Sequence, residues 1–135
     1  MEDESRPLRR HFKHFNLLEK VVEAVQPVAN HRLAAALVHK NSIISIGINK
    51  KKTHPFMRDY GKNDEAIYLH AEIDCIVNAL RHVSADDISK YSLYVLRAKK
   101  NGNGMAKPCE GCQRAIAQFG IKDVYYTTDE GFNYL

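Results

Sequence analysis

Two short stretches carry side chains that can do chemistry. In "YLHAEIDC" (68–75) His70 stands two places before Glu72, and in "KPCEGCQRAI" (107–116) Cys109 and Cys112 follow Pro108 at a spacing of three. Thiolate sulfur and imidazole nitrogen are the donors that zinc prefers. Side chains at i and i+3 of a helix share a face, so both sulfurs can reach one ion. Proline suits a helix start, and a helix start favours the thiolate anions that bind metal.

Each stretch alone is weak. A single Cys-x-x-Cys fits a structural zinc knuckle, a redox pair or chance, and a single His-x-Glu means little. Together they are specific: three donors, with no fourth at motif spacing. Structural zinc sites use four protein ligands, whereas catalytic sites leave one position for water. Cys75, His54 and His82 fall outside a matching pattern. Glu72 is close enough to reach the ion's neighbourhood without binding it. Zinc lowers the pKa of a bound water to about 7, and an adjacent carboxylate can take that proton and deliver it to a leaving group. Such a set hydrolyses a bond at an electrophilic carbon. Cys75 reads as an ordinary buried thiol.

The chain has 135 residues, 44% of them apolar and 27% charged, which suits one domain over 1–135 with a single core. A net charge of +4 suits an anionic ligand such as a phosphate without announcing a nucleic-acid binder. With three cysteines there is no even disulfide framework. The N-terminus lacks the apolar core of a signal peptide, and no run approaches a membrane span. A reducing, cytoplasmic setting is the expectation.

The elements that must position these residues follow from apolar periodicity. Phe15, Leu18, Val22 and Val25 predict a helix ending before Pro27. "RLAAALVHK" (32–40) and "SIISIGINK" (42–50) predict a hairpin turning at Asn41. "KKTHPFMRDYGKND" (51–64) reads as a long loop. A helix follows from Ala71, then a strand over 91–98, a turn over 100–105, a helix from the cysteines to Gly120 and a strand over 122–128. The order α-β-β-α-β-α-β predicts an α/β fold: a three-layer α/β/α sandwich on a mixed sheet of four to five strands.

With "HAE" and "PCEGC" in place, the chain resembles the zinc-dependent cytidine/deoxycytidylate deaminase superfamily over most of its length. The resemblance implies one zinc per chain held by His70, Cys109 and Cys112, with Glu72 as proton shuttle. Water would attack the ring carbon that bears the amine, and ammonia would depart. The Ala71 backbone amide would bind the ring carbonyl. Homo-oligomers are also implied. "SIGINKKKTHPF" is similar to the Gly-x-Asn stretch of deoxycytidylate deaminases, which assigns Asn49 to the sugar. Two departures stand out: Ile48 replaces the usual tyrosine, and Asp74-Cys75 replaces the usual Asn-Ala.

The leading substrate is a small-molecule nucleotide, deoxycytidylate, with Lys50, Lys51 and Lys52 to meet its phosphate and His54 of the same loop as a further substrate-binding candidate. Alternatives are a free base or nucleoside (cytidine, guanine or a modified base), or a base in tRNA or single-stranded nucleic acid. In that last case the basic N-terminal segment (Arg6, Arg9, Arg10 and Lys13) together with Arg97, Lys99 and Lys100 would track the backbone. A non-catalytic zinc-binding module is a fourth possibility.

Overall fold

The structure, a computed structural model, describes residues 6–27, 31–51 and 69–135. Its elements are α1 (Arg6–Val22), β1 (Arg32–His39), β2 (Ser42–Ile48), α2 (Ala71–Ala79), α3 (Ala85–Ile88), β3 (Ser92–Lys99), β4 (Gly102–Gly104), α4 (Glu110–Gln118), β5 (Asp123–Thr127) and β6 (Phe132–Tyr134). The strands form one mixed sheet in the order β2-β1-β3-β5-β6, with β4 pairing the end of β3. Among the described residues, only β3 and β5 run parallel to each other.

The central strand β1 explains the layering. Ala35 and Leu37 face one core, with α2, α4 and Ile88 of α3, while Ala34, Ala36 and Val38 face a second core beneath α1. Burial on both faces is why this strand reads as an unbroken apolar run. Phe15, Leu18, Val22 and Val25 are the α1 stripe, and they close over Tyr94 and Leu96 of β3. His11 Nδ1 lies 2.6 Å from the Tyr94 hydroxyl, so even this apolar layer contains a satisfied polar pair.

The expected sandwich is present, with two additions. The 100–105 segment, expected as a turn, contains β4, because Gly102–Gly104 hydrogen-bonds back to Arg97–Lys99. Phe132–Tyr134 adds β6 beside β5. Three-residue strands are too short to leave a periodic signal. Among the described residues the sheet therefore has six strands rather than four to five. The hairpin turns through Lys40 and Asn41, with Lys40 at φ 57°. α4 stops at Gly120, whose φ of 73° is costly for other residues, and the Ile121 amide donates back to the Ile116 carbonyl at 3.1 Å.

The outer edge of β2 is closed by α2 and the turn after it. The Asp74 carboxylate accepts from the Ile48 amide at 2.9 Å, and the Asn78 side-chain amide donates to the Ile46 carbonyl at 2.9 Å. His82 Nε2 lies 3.0 Å from the Ile44 carbonyl. Four residues of helix rise about 6 Å, close to the roughly 6.8 Å of two strand residues, so positions 74, 78 and 82 match strand positions 48, 46 and 44. An edge strand otherwise offers these groups to other chains. Among the described residues, no helix is long and apolar enough to cross a membrane.

Candidate metal centre

The site forms where the starts of α2 and α4 meet, at the end of the sheet. Lys50 and Leu69 exchange two backbone hydrogen bonds of 2.9 Å, which brings the residue before His70 to the end of β2. His70 is the N-cap of α2, in extended conformation (φ −77°, ψ 149°), and its side chain makes no cap hydrogen bond.

Cys109 is the N-cap of α4, one residue before the helix begins, and its sulfur accepts from the Cys112 amide at 3.5 Å. Thr127 fixes the approach to it. Its hydroxyl donates to the Gly104 carbonyl at 2.8 Å and accepts from the Arg97 amide at 3.1 Å, while its carbonyl accepts from the Ala106 amide at 2.9 Å. The Gln113 side chain also reaches back to the Pro108 carbonyl at 2.8 Å.

These two starts bring the three expected ligands together. His70 Nδ1 lies 3.6 Å from the Cys109 sulfur and 3.3 Å from the Cys112 sulfur. All three donor atoms fall within 4.8 Å of one another. A tetrahedral zinc with Zn–S near 2.3 Å and Zn–N near 2.05 Å needs an N···S separation of about 3.5 Å. The cluster therefore fits zinc in donor type and in spacing, and Nδ1 is the nitrogen that faces the sulfurs.

Charge in the cluster is unevenly placed. The hydrogen bond with Cys112 holds the Cys109 thiol down to about 4, with His70 adding to it. The Cys112 thiol is pushed up, first by that same hydrogen bond and then by burial. Cys109 is exposed, whereas Cys112 is buried among Leu69, Ile73 and Ala115.

Glu72 sits inside this arrangement with 3% of its surface exposed. Burial raises the pKa of its carboxyl, opposed by a hydrogen bond to its own backbone and by His70, and its side chain bonds to Cys112. It is beside the cluster and outside the donor set. Ala71 is buried at the first position of α2, where a helical amide has no partner within the helix.

The residues expected around the substrate are placed differently from one another. Asn49 is buried, with its side-chain oxygen accepting from the Leu33 amide and its nitrogen donating to the His31 carbonyl, both at 2.9 Å. Lys50 reaches Asp74 at 3.1 Å. Lys51 is exposed, and His54 lies outside the described residues. Cys75 is fully buried, with its thiol pushed up to about 12 by burial and lying 3.3 Å from the Ser45 hydroxyl.

Sequence reasoning singled out neither Asp74 nor Thr127 as a supporting residue. The acidic residue in place of asparagine was the available signal for Asp74. A threonine at a strand end carries none.

The family model for the cytidine and deoxycytidylate deaminase zinc-binding region matches residues 9–128. The chain thus belongs to the cytidine/deoxycytidylate deaminase family, a zinc-binding family, and its His70, Cys109 and Cys112 could hold that ion.

Solved structures share the fold. The dCMP deaminase of cyanophage S-TIM5 in apo form is 22% identical with TM-score 0.62, over 95% of this chain and 86% of that one. The same enzyme in complex with dCMP and dUMP gives 0.55 at 22% identity, over 95% and 84%. The cytidine deaminase of Burkholderia pseudomallei is 15% identical with TM-score 0.65, over 93% and 91%. No curated protein sequence matches the chain at a significant level.

Proposed function

We propose that the protein is a zinc-dependent hydrolytic deaminase acting on the base of a small-molecule nucleotide, with deoxycytidylate converted to deoxyuridylate and ammonia. The observation that carries this reading is Glu72, a buried carboxyl beside the His70, Cys109 and Cys112 donors but not among them. A purely structural zinc site has no use for such a group, whose burial is costly.

Zinc held by His70, Cys109 and Cys112 would supply Lewis-acid activation of water near neutral pH. Glu72 takes the proton released by that water and passes it to the ring nitrogen beside the reacting carbon. It then takes the remaining proton of the hydroxyl added at that carbon, which becomes the carbonyl, and carries it to the departing amine. A C–O bond forms, the C–N bond breaks and ammonia leaves. A raised carboxyl pKa suits a group that must both accept and return a proton. The Ala71 amide holds the ring carbonyl.

The Asn49 side-chain amide has a second N–H, besides the one given to His31, to offer a sugar hydroxyl. Lys51 is an exposed cation that can meet a phosphate. One observation favours a second reading: the Lys50 charge is already met by Asp74, which suits a nucleoside or free base equally well.

Ammonia release decides between them. The panel contains cytidine, deoxycytidine, their mono- and triphosphates, guanine, adenine and single-stranded oligonucleotides. Highest kcat/KM on deoxycytidylate is the expected result. A strong preference for an unphosphorylated base or nucleoside rejects the nucleotide reading. Activity confined to oligonucleotides moves the protein to nucleic-acid deamination.

A further inference from the structure

We infer that Asp74 is a positioning residue that locks the substrate-facing end of β2 onto the helix carrying His70 and Glu72, an assignment that rests on the deaminase reading above. Asp74 is 4% exposed, and both of its carboxylate oxygens are used. Oδ2 accepts from the Ile48 amide at 2.9 Å, and Oδ1 accepts from Lys50 Nζ at 3.1 Å. Buried charges persist where they are paired, and this pair joins two elements that have no covalent reason to stay in register.

The three residues Ile48, Asn49 and Lys50 are held from three directions. Asp74 holds the first and third, and the backbone at His31 and Leu33 holds the Asn49 side chain. The Lys50 backbone exchanges two bonds with Leu69, which directly precedes His70. Asp74 itself lies one helical turn after His70, and its amide donates to the His70 carbonyl at 3.0 Å. A displacement of residues 48–50 is thus transmitted to the first turn of α2 through a few short bonds.

The chemistry of residue 74 separates this role from simple edge closure. The side-chain oxygen of asparagine can still accept from the Ile48 amide, though more weakly than a carboxylate does. Only a carboxylate also holds the lysine. Asp74→Asn therefore removes the lock while retaining the edge bond, and Asn78→Ala removes an edge bond while retaining the lock.

With zinc content and melting temperature measured alongside, Asp74→Asn is expected to raise KM for the best panel substrate about fivefold, the scale of one partly exposed ion pair, with kcat changed less than about twofold. Asn78→Ala is expected to lower the melting temperature and leave KM unchanged. Lys50→Gln should raise KM as Asp74→Asn does, and the double variant should be no worse than either single one. An unchanged KM in Asp74→Asn, or additive effects in the double variant, overturns the proposal. Should the wild-type protein deaminate nothing in the panel, amide hydrogen exchange still reads the lock. Protection at Lys50 and Leu69 lost in Asp74→Asn but kept in Asn78→Ala supports it, and equal protection in both refutes it.

Discussion

Gly47 of β2 lies directly against the backbone of Cys75 in α2: a Cβ at position 47 would come within 2.2 Å of the Cys75 amide nitrogen and 2.3 Å of the Ala71 carbonyl oxygen. Those contacts are backbone on both sides, so neither partner can swing away. The helix that presents His70 and Glu72 is seated on a residue with no side chain. Gly47→Ala must push α2 off the sheet, at a cost of at least about 1–3 kcal/mol typical of overpacking. The expected outcome is a lower melting temperature together with reduced zinc per chain. Full zinc content at wild-type stability would show that α2 is not seated this way.

Glu72 tests catalysis separately from metal binding. Glu72→Gln keeps the size of the side chain and removes its ability to carry a proton. Ammonia release should fall by about 10²–10⁴-fold, the usual range for losing a general acid–base. Zinc measured by elemental analysis should remain near one per chain. Retained ammonia release would remove Glu72 from the mechanism, and a non-catalytic zinc module would also show none in the wild-type protein.

Metal removal should expose one reactive thiol. After chelation, Cys109 is exposed and held down to about 4, so it is thiolate at neutral pH. It should alkylate first, because thiolate is the nucleophile. Cys112 is buried with its thiol pushed up, and Cys75 is buried and pushed up to about 12, so both should lag. Peptide mass mapping after a short iodoacetamide pulse reads the order. Equal labelling of Cys109 with and without chelator would mean that zinc does not protect it.

Acid should weaken the α1 layer. Burial, followed by nearby cationic groups, holds the imidazoles of His11 and His14 below their ordinary 6.5. The unfolded chain binds more protons over that interval. This contribution to stability is therefore complete above about pH 6.5 and is lost as pH falls through the lower folded values. His14→Leu removes one of the two groups and should narrow the drop in melting temperature between about pH 7.5 and about pH 5.5. The same drop in wild type and variant would place the acid sensitivity elsewhere.

The zinc donors, Glu72 and most of the elements were legible because each leaves a local trace. Donor type and spacing announce His70, Cys109 and Cys112, and apolar periodicity announces α1, β1, β2 and α4. Gly120 was legible as a helix stop for the same reason: its left-handed φ is a property of one residue. The short strands at 102–104 and 132–134 were not, since their pairing depends on partners already in place.

By itself, the sequence determined which side chains can meet one zinc and which carboxyl stands beside them, because that information lies in side-chain chemistry at fixed short spacings. Only the tertiary structure decided how Lys50 and Asn49 are used. Lys50 is a free cation in one dimension and the partner of Asp74 in three, while Asn49 is tied to the start of β1. Those bonds join residues 16 to 26 positions apart. No local pattern encodes them, because they exist only once the helix has settled on the edge strand.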